Sequence, residues 1–268
     1  MVVHGSEARL SDEDLTALKE AKAKLEHPSF TARVSAIVGR PVETGLKLLP
    51  ASWNSRIGAA TEAALLTGLD FSIRTMGRGG SGRSQDRLHK VFAAGMGAAG
   101  GAIGLAALPV ELPLSTCVML RSIADIARAE GHDLSQLEVK LACLEVFALG
   151  GKAPGDDAAE SSYWLVRAAL SKYVAEAAEH IARRGITDKG APALLRLVTQ
   201  IASRFSVVIT EEAAAKAIPV VGAVSGAAIN YLFLDHFQDV ASGHFVIKRL
   251  EMEYGTELVR KTYDEREV

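Results

Sequence analysis

The sequence predicts an all-α protein folded as a single multi-helix domain. Three observations carry that reading. Ala, Leu, Glu, Arg and Lys recur at three- and four-residue intervals along most of the chain, the spacing that gives a helix one apolar face. Runs of Val, Ile, Thr and aromatic residues alternating at every second position are rare, so strand signals are almost absent. The chain has 268 residues and is 49% hydrophobic, enough to fill one large core.

Each element has its own local reason. Ser11 followed by Asp12, Glu13 and Asp14 reads as a capped helix start with acid in its first turn, and that helix fades near His27-Pro28. A shorter helix runs from Ser29 toward Gly39. Pro41 and Pro50 bound a second short segment, and Ser52 to Met76 forms a longer helix with Ile57, Leu65, Leu66, Leu69 and Ile73 on its apolar side. GRGGSGRSQ, Gly77 to Gln85, is the clearest loop. An apolar glycine-rich segment follows, Asp86 to Leu108. The next helix begins between Pro113 and Thr116 and stops at Gly131, a left-handed cap. Another runs from Ser135 to Gly150 with Leu137, Leu141, Leu144 and Ala148 in register. KAPGDDAAE leads into a helix that reaches Arg183-Arg184 before Gly185. Pro192 opens a segment to Ile218, and Pro219 starts the last long helix, stopped by Gly255. The domain thus divides into amino-terminal helices (11–76), the Gly/Arg loop (77–85), the core helices (86–255) and a tail helix (256–268).

Composition removes several function classes. A formal net charge of -2 leaves no global basic field to attract nucleic acid, so no nucleic-acid partner is expected. Cys117 and Cys143 sit inside apolar periodic segments without metal-ligand spacing, and read as small buried hydrophobes in a reducing compartment. MVVHGSEARLSDEDL lacks the basic and apolar regions of a signal peptide. The expected location is cytoplasmic, either free or peripheral at the membrane.

Several motifs tempt and fail on context. Gly95, Gly97 and Gly100 spell GxGxxG, but the residues before them are helix-like, and Pro109 and Pro113 stand where a crossover helix and second strand belong. Gly77 to Ser84 resembles a phosphate loop with Arg83 in place of the lysine and a helix in place of the preceding strand. GGSG at Gly79 to Gly82 lacks the closing glycine of a nucleophile elbow. His236, Asp239 and His244 share one helix, at spacings more usual for surface or packing residues than for metal ligands. No cofactor and no metal are expected.

Two uncharged stretches remain, Val91 to Val110 and Ala217 to Leu234, each about as long as a bilayer crossing requires. Five glycines, each costing about 0.8 to 1 kcal/mol against Ala in a helix, weaken the first, and Asn230 interrupts the second. The pairs Gly97 and Gly101, Gly100 and Gly104, and Gly222 and Gly226 form small-xxx-small ridges that let two backbones approach closely. Central packing, or an apolar cavity wall, is favoured over spanning.

Leu108 to Asp133, LPVELPLSTCVMLRSIADIARAEGHD, and Ala217 to Glu251, AIPVVGAVSGAAINYLFLDHFQDVASGHFVIKRLE, resemble the EcsC family. Weaker agreement covers nearly the whole chain, including LKEAKAKLEHPS and Tyr254-Gly255. The resemblance implies a helical protein associated with a membrane or with a membrane transporter, without an established molecular activity. The two glycine-and-proline segments are also similar, more loosely, to helical membrane-associating domains attached to some small GTPases.

The polar residues inside these blocks are the candidate site. Glu111 lies between two prolines beside the most apolar segment, and Arg121 and Asp125 are one helical turn apart on the next helix. Lys216, Asn230 and Asp235 bracket or interrupt the second apolar stretch, and the two sets meet if the stretches pack side by side. A buried charge must be compensated, so these six form a candidate buried polar network. Two functions follow. In the first, a non-catalytic helical protein binds lipid or the membrane surface, with Arg74, Arg78, Arg83 and Arg87 attracting anionic headgroups. In the alternative, a hydrolase-type enzyme uses Glu111 and Asp125 for general acid and base work while Arg121 holds an anionic group.

Overall fold

The first helix starts where its cap demands. The Ser11 hydroxyl oxygen accepts the Asp14 backbone N–H at 3.1 Å and its proton goes to the Asp14 carboxylate at 2.6 Å, satisfying a donor that the first helical turn leaves open. In this computed structural model, residues 9–26, 30–38, 42–50, 53–76, 108–151, 162–185, 191–217 and 223–265 are described. They contain helices and no strand. In chain order these are α1 (Asp12–Glu26), α2 (Phe30–Val38), α3 (Val42–Leu46), α4 (Trp53–Thr75), α5 (Leu108–Ala129), α6 (Leu137–Leu149), α7 (Ser162–Arg184), α8 (Pro192–Ala217), α9 (Ala223–Tyr254) and α10 (Thr256–Glu265).

The three glycine stops are where the sequence puts them. Gly131, Gly185 and Gly255 take φ of 85°, 68° and 83°, and at Gly131 the N–H of His132 reaches the Ala127 carbonyl while Gly131 reaches Arg128, both at 3.0 Å. That paired pattern closes α5 and needs a residue without a Cβ clash. Helix starts differ more. α5 begins at Leu108, ahead of the expected Pro113 to Thr116, and carries Pro113 inside it. Proline there gives up only the bond to the carbonyl of residue 109, close to an end where internal bonds are already few. The Gly77 to Gln85 loop, Gly97, Gly100, Gly101, Gly104, Gly222, Arg78, Arg83 and Arg87 lie outside the described residues. Gly226 falls in the first turn of α9.

The helices pack into a single domain around α9. At 32 residues, roughly 48 Å by helical rise, α9 touches α1, α2, α5, α6, α8 and α10. α5 runs parallel to it, since Glu111, Ser122 and Glu130 meet Asn230, Gln238 and Arg249 in that order. α8 runs the other way, since Lys216 meets Glu111 at the level of Asn230 while the earlier Phe205 packs farther along α9 on Phe233 and Phe237. α6 sits at the centre and every residue from Val139 to Ala148 is buried, the mark of a helix covered on all sides.

The main core closes around phenylalanines. Phe147 meets Phe205 at 4.6 Å and Phe237 at 5.3 Å, and Phe30 meets Phe233 edge-on at 5.6 Å, distances that favour aromatic pairing. A second, smaller core at the far end joins α1, the start of α7, the end of α9 and α10 through Leu18, Trp164, Leu250, Val259 and Tyr263. Among the described residues α8 alone is long and apolar enough to cross a bilayer. Its polar groups nevertheless bond to neighbouring helices: Arg204 donates to the carbonyls of Ala148 and Gly151 at 3.0 and 2.7 Å, and Arg196 to Glu176 at 2.8 Å. α8 therefore reads as a core helix.

Candidate functional site

The ends of α5 and α8 meet the first half of α9 at a cluster of four polar side chains. Glu111 belongs to the first turn of α5 and Lys216 to the last turn of α8, each the charge that its helix end favours. The Lys216 ammonium lies 2.8 Å from Glu212, one turn back on α8, and 3.5 Å from Glu111. Asn230 of α9 donates to the same Glu111 oxygen, Oε1, its amide 3.5 Å away. One lysine thus serves two carboxylates from two helices, and Asn230 adds a third helix.

Electrostatics follow from that crowding. Burial raises the Glu212 carboxyl above the usual carboxylate range, although Lys216 pulls the other way. Burial also works to lower Lys216, but Glu212 and Glu111 outweigh it and hold the ammonium above its ordinary value. Beside the cluster is a cleft of about 20 Å³ walled by Leu112, Met119 and Phe233, room for about one water. As it stands the cluster can fix the register of three helices.

The other sequence candidates distribute elsewhere. Arg121 reaches Asp125 only at 3.9 Å, while Arg128, one turn on, takes the same carboxylate at 2.9 Å. Glu111 is ten residues before Arg121 on α5, roughly 15 Å of helical rise, so it pairs with Lys216 apart from the Arg121–Asp125–Arg128 group. Asp235 and Asp239 share Arg33 of α2, Asp239 at 3.1 Å, and the Asp239 carboxyl is raised by burial and by Asp235 against the pull of Arg33. Asp235 is therefore apart from the cluster that Lys216 and Asn230 form with Glu111. Arg74 pairs with Asp70 at 2.6 Å on an exposed face of α4. His236 bonds the Gly150 carbonyl at 2.8 Å. Among the described residues no three His, Cys, Asp or Glu side chains gather as a metal set.

Three participants escape the sequence reading. Glu212 carries a readable signal, an i,i+4 acid–base pair with Lys216 inside an alanine-rich run. Arg128 is equally local to Asp125. Arg33 is 202 residues from Asp235, and nothing in its neighbourhood announces the partner.

No curated protein and no solved structure matches this chain. The model of the EcsC protein family matches residues 12–250, from the first residue of α1 into the last turns of α9, and so takes in all four members of the cluster. The chain belongs to the EcsC family.

Proposed function

We propose that this protein is a non-catalytic helical protein that binds lipid or a membrane surface from the cytoplasmic side, through the end of the molecule where α5, α8 and α9 meet. One observation carries the reading. Glu111 immediately follows the uncharged run Val91 to Val110, Lys216 immediately precedes Ala217 to Leu234, and the two are paired to each other at 3.5 Å. Glu111 and Lys216, each next to one of the two runs, thereby compensate each other.

Large apolar side chains are exposed around the same end: Leu114 of α5 at 53% and Tyr231 of α9 at 44%. α3 adds Leu46 and the turn residue Leu48, brought there because its Gly45 packs directly on the Ala214 carbonyl of α8. Scattered exposed leucines are ordinary, but exposed apolar side chains on the elements that meet at the cluster are what an apolar contact surface needs. Arg74, Arg78, Arg83 and Arg87 each add about 1 kcal/mol near an anionic leaflet. Family membership makes a membrane transporter the protein partner to look for. The hydrolase alternative requires Glu111, Arg121 and Asp125 to face one substrate, and the pairing of Glu111 with Lys216, roughly 15 Å of helical rise from Arg121, gives it no support.

Flotation with vesicles tests the reading. The protein is expected to rise with vesicles containing phosphatidylglycerol, less so with pure phosphatidylcholine, and less again as salt screens the arginines. Absence of flotation with either vesicle, together with no lipid in the purified protein by mass spectrometry, refutes it.

A further inference from the structure

His244 is fully buried on α9 in the second core, far along the helix from Glu111. Its Nδ1 lies 3.0 Å from the hydroxyl of Tyr163 on α7. The oxygen of that hydroxyl accepts from Arg167 at 3.3 Å, and Arg167 forks onto Glu251 at 3.0 and 2.9 Å. The other ring nitrogen, Nε2, is 3.8 Å from the Glu145 carboxylate of α6, beyond a hydrogen bond. Donor order then follows from chemistry. A guanidinium only donates, so Tyr163 accepts from Arg167, and with its own proton turned to Nδ1 it satisfies a neutral imidazole protonated on Nε2.

Charges facing His244 agree with that state. Arg167 and Lys248 are balanced by Glu251 and Glu145, and Lys248 acts on both Glu145 and His244. From the loop after α5 comes His132, whose Nε2 bonds the Phe245 carbonyl at 3.0 Å. Cys143 of α6 lies near Glu145 and is buried. α10 contributes Tyr263, stacked on Tyr163 at 6.0 Å, and α1 contributes Lys22, 2.9 Å from the Tyr263 carbonyl. A proton on Nδ1 would take from the Tyr163 O–H its acceptor and add a positive charge beside Arg167 and Lys248, with the Glu145 carboxylate, 3.8 Å from Nε2, too far to hydrogen-bond it.

We propose that this end of the protein is an acid-sensitive clasp, in which a proton on His244 breaks the Arg167–Tyr163–His244 chain and frees the first turns of α7, with α10, from α9. Tyr163 and Trp164 of α7 and Val259 and Tyr263 of α10 pack in the second core, while Val166 and Leu170 already belong to the phenylalanine core, so the start of α7 and α10 form the unit that can open locally. Burial holds His244, and His132 with it, below the ordinary imidazole value of 6.5. The sign is fixed by that direction: the closed form is favoured above pH 6.5 and loses its advantage as pH falls, because the open form takes up the proton. Burial raises Glu145, which works the opposite way, so one proton on His244 sets a ceiling of about tenfold more opening between pH 7.5 and 5.5. The clasp does not depend on the lipid reading.

Hydrogen exchange on the full chain, corrected for the intrinsic effect of pH, tests it. Residues 162–170 and 256–265 are expected to open up to about tenfold more at pH 5.5 than at 7.5, while 196–209 in α8 stay unchanged. His244→Asn keeps an acceptor for Tyr163 but takes no proton, and is expected to abolish the response; His132→Gln is expected to retain it. A response below about twofold in the unmodified protein overturns the proposal. So does a response lost in His132→Gln and kept in His244→Asn. If His244→Asn does not fold, the imidazole proton signals of the unmodified protein decide: His244 is expected to titrate only together with the exchange change, and a simple titration near 6.5 with no such change overturns the clasp.

Discussion

Replacing Lys216 by Met keeps the aliphatic stem and removes only the ammonium that Glu111 and Glu212 share. Taking one partner from a buried ion pair costs about 3 to 5 kcal/mol, because the remaining charge stays desolvated. Here Lys216 and Glu111 each retain 17% exposure, which lets water relax the site, so the lower figure of about 3 kcal/mol applies at pH 7.5. For a chain of this size that is a fall of about 6 to 12 °C in Tm. The deficit should depend on pH. Glu212 is already raised above the ordinary carboxylate value by burial, so its contribution to stability is present below pH 4.5 and lost as pH rises through its folded value. Without Lys216 that value climbs further, and Glu212 accepts a proton more readily on acidification. Urea denaturation of Lys216→Met and of Lys216→Met with Glu212→Gln, at pH 7.5 and 5.5, is the assay. The single variant should recover part of its loss at the lower pH, and the double variant should be more stable than the single at pH 7.5. A single-variant loss below about 0.5 kcal/mol, or one that does not change with pH, refutes the idea that these charges are held away from water.

Two glycines should respond to alanine with opposite signs. A Cβ on Gly45 would lie 1.9 Å from the Ala214 carbonyl oxygen, whereas one on Gly58 in α4 meets nothing within 4 Å; Gly45→Ala should cost about 1 to 3 kcal/mol by overpacking and Gly58→Ala should gain about 0.5 to 1 kcal/mol from helix propensity, both read by urea melts. The thiols should be slow. Burial raises Cys117 and raises Cys143 much further, so a thiol reagent at pH 7.5 should label Cys117 slowly and Cys143 only after denaturation.

Helix stops were far more legible than helix surroundings. Gly131, Gly185 and Gly255 each end a helix in the left-handed conformation, because the requirement is local and one residue type meets it best. α6 shows what locality misses. Leu137, Leu141, Leu144 and Ala148 suggest a one-sided helix, yet the opposite face is buried too, including Lys140 and Glu145. Lys140 is accommodated by the Ile73 carbonyl at 3.2 Å, a partner 67 residues away. The phenylalanine core is equally nonlocal, since its rings come from α2, α6, α8 and α9.

The candidate cluster was partly legible for a definite reason. A charge next to a long uncharged run has few places to go, so Glu111, Lys216 and Asn230 advertise themselves and their mutual approach follows once α5 and α9 pack side by side. Residues farther along α9 give no such signal, although each is committed to a different neighbour. Gln238 donates to Ser122 of α5 at 2.6 Å, Asp239 takes Arg33 of α2, His244 takes Tyr163 of α7, and Arg249 takes Asp14 of α1 at 3.2 Å. A slip of α9 by one residue turns its polar groups by about 100° and would break pairs to all four helices at once. The polar positions of α9 therefore specify which helix lies on which side of it, while its apolar positions supply the burial.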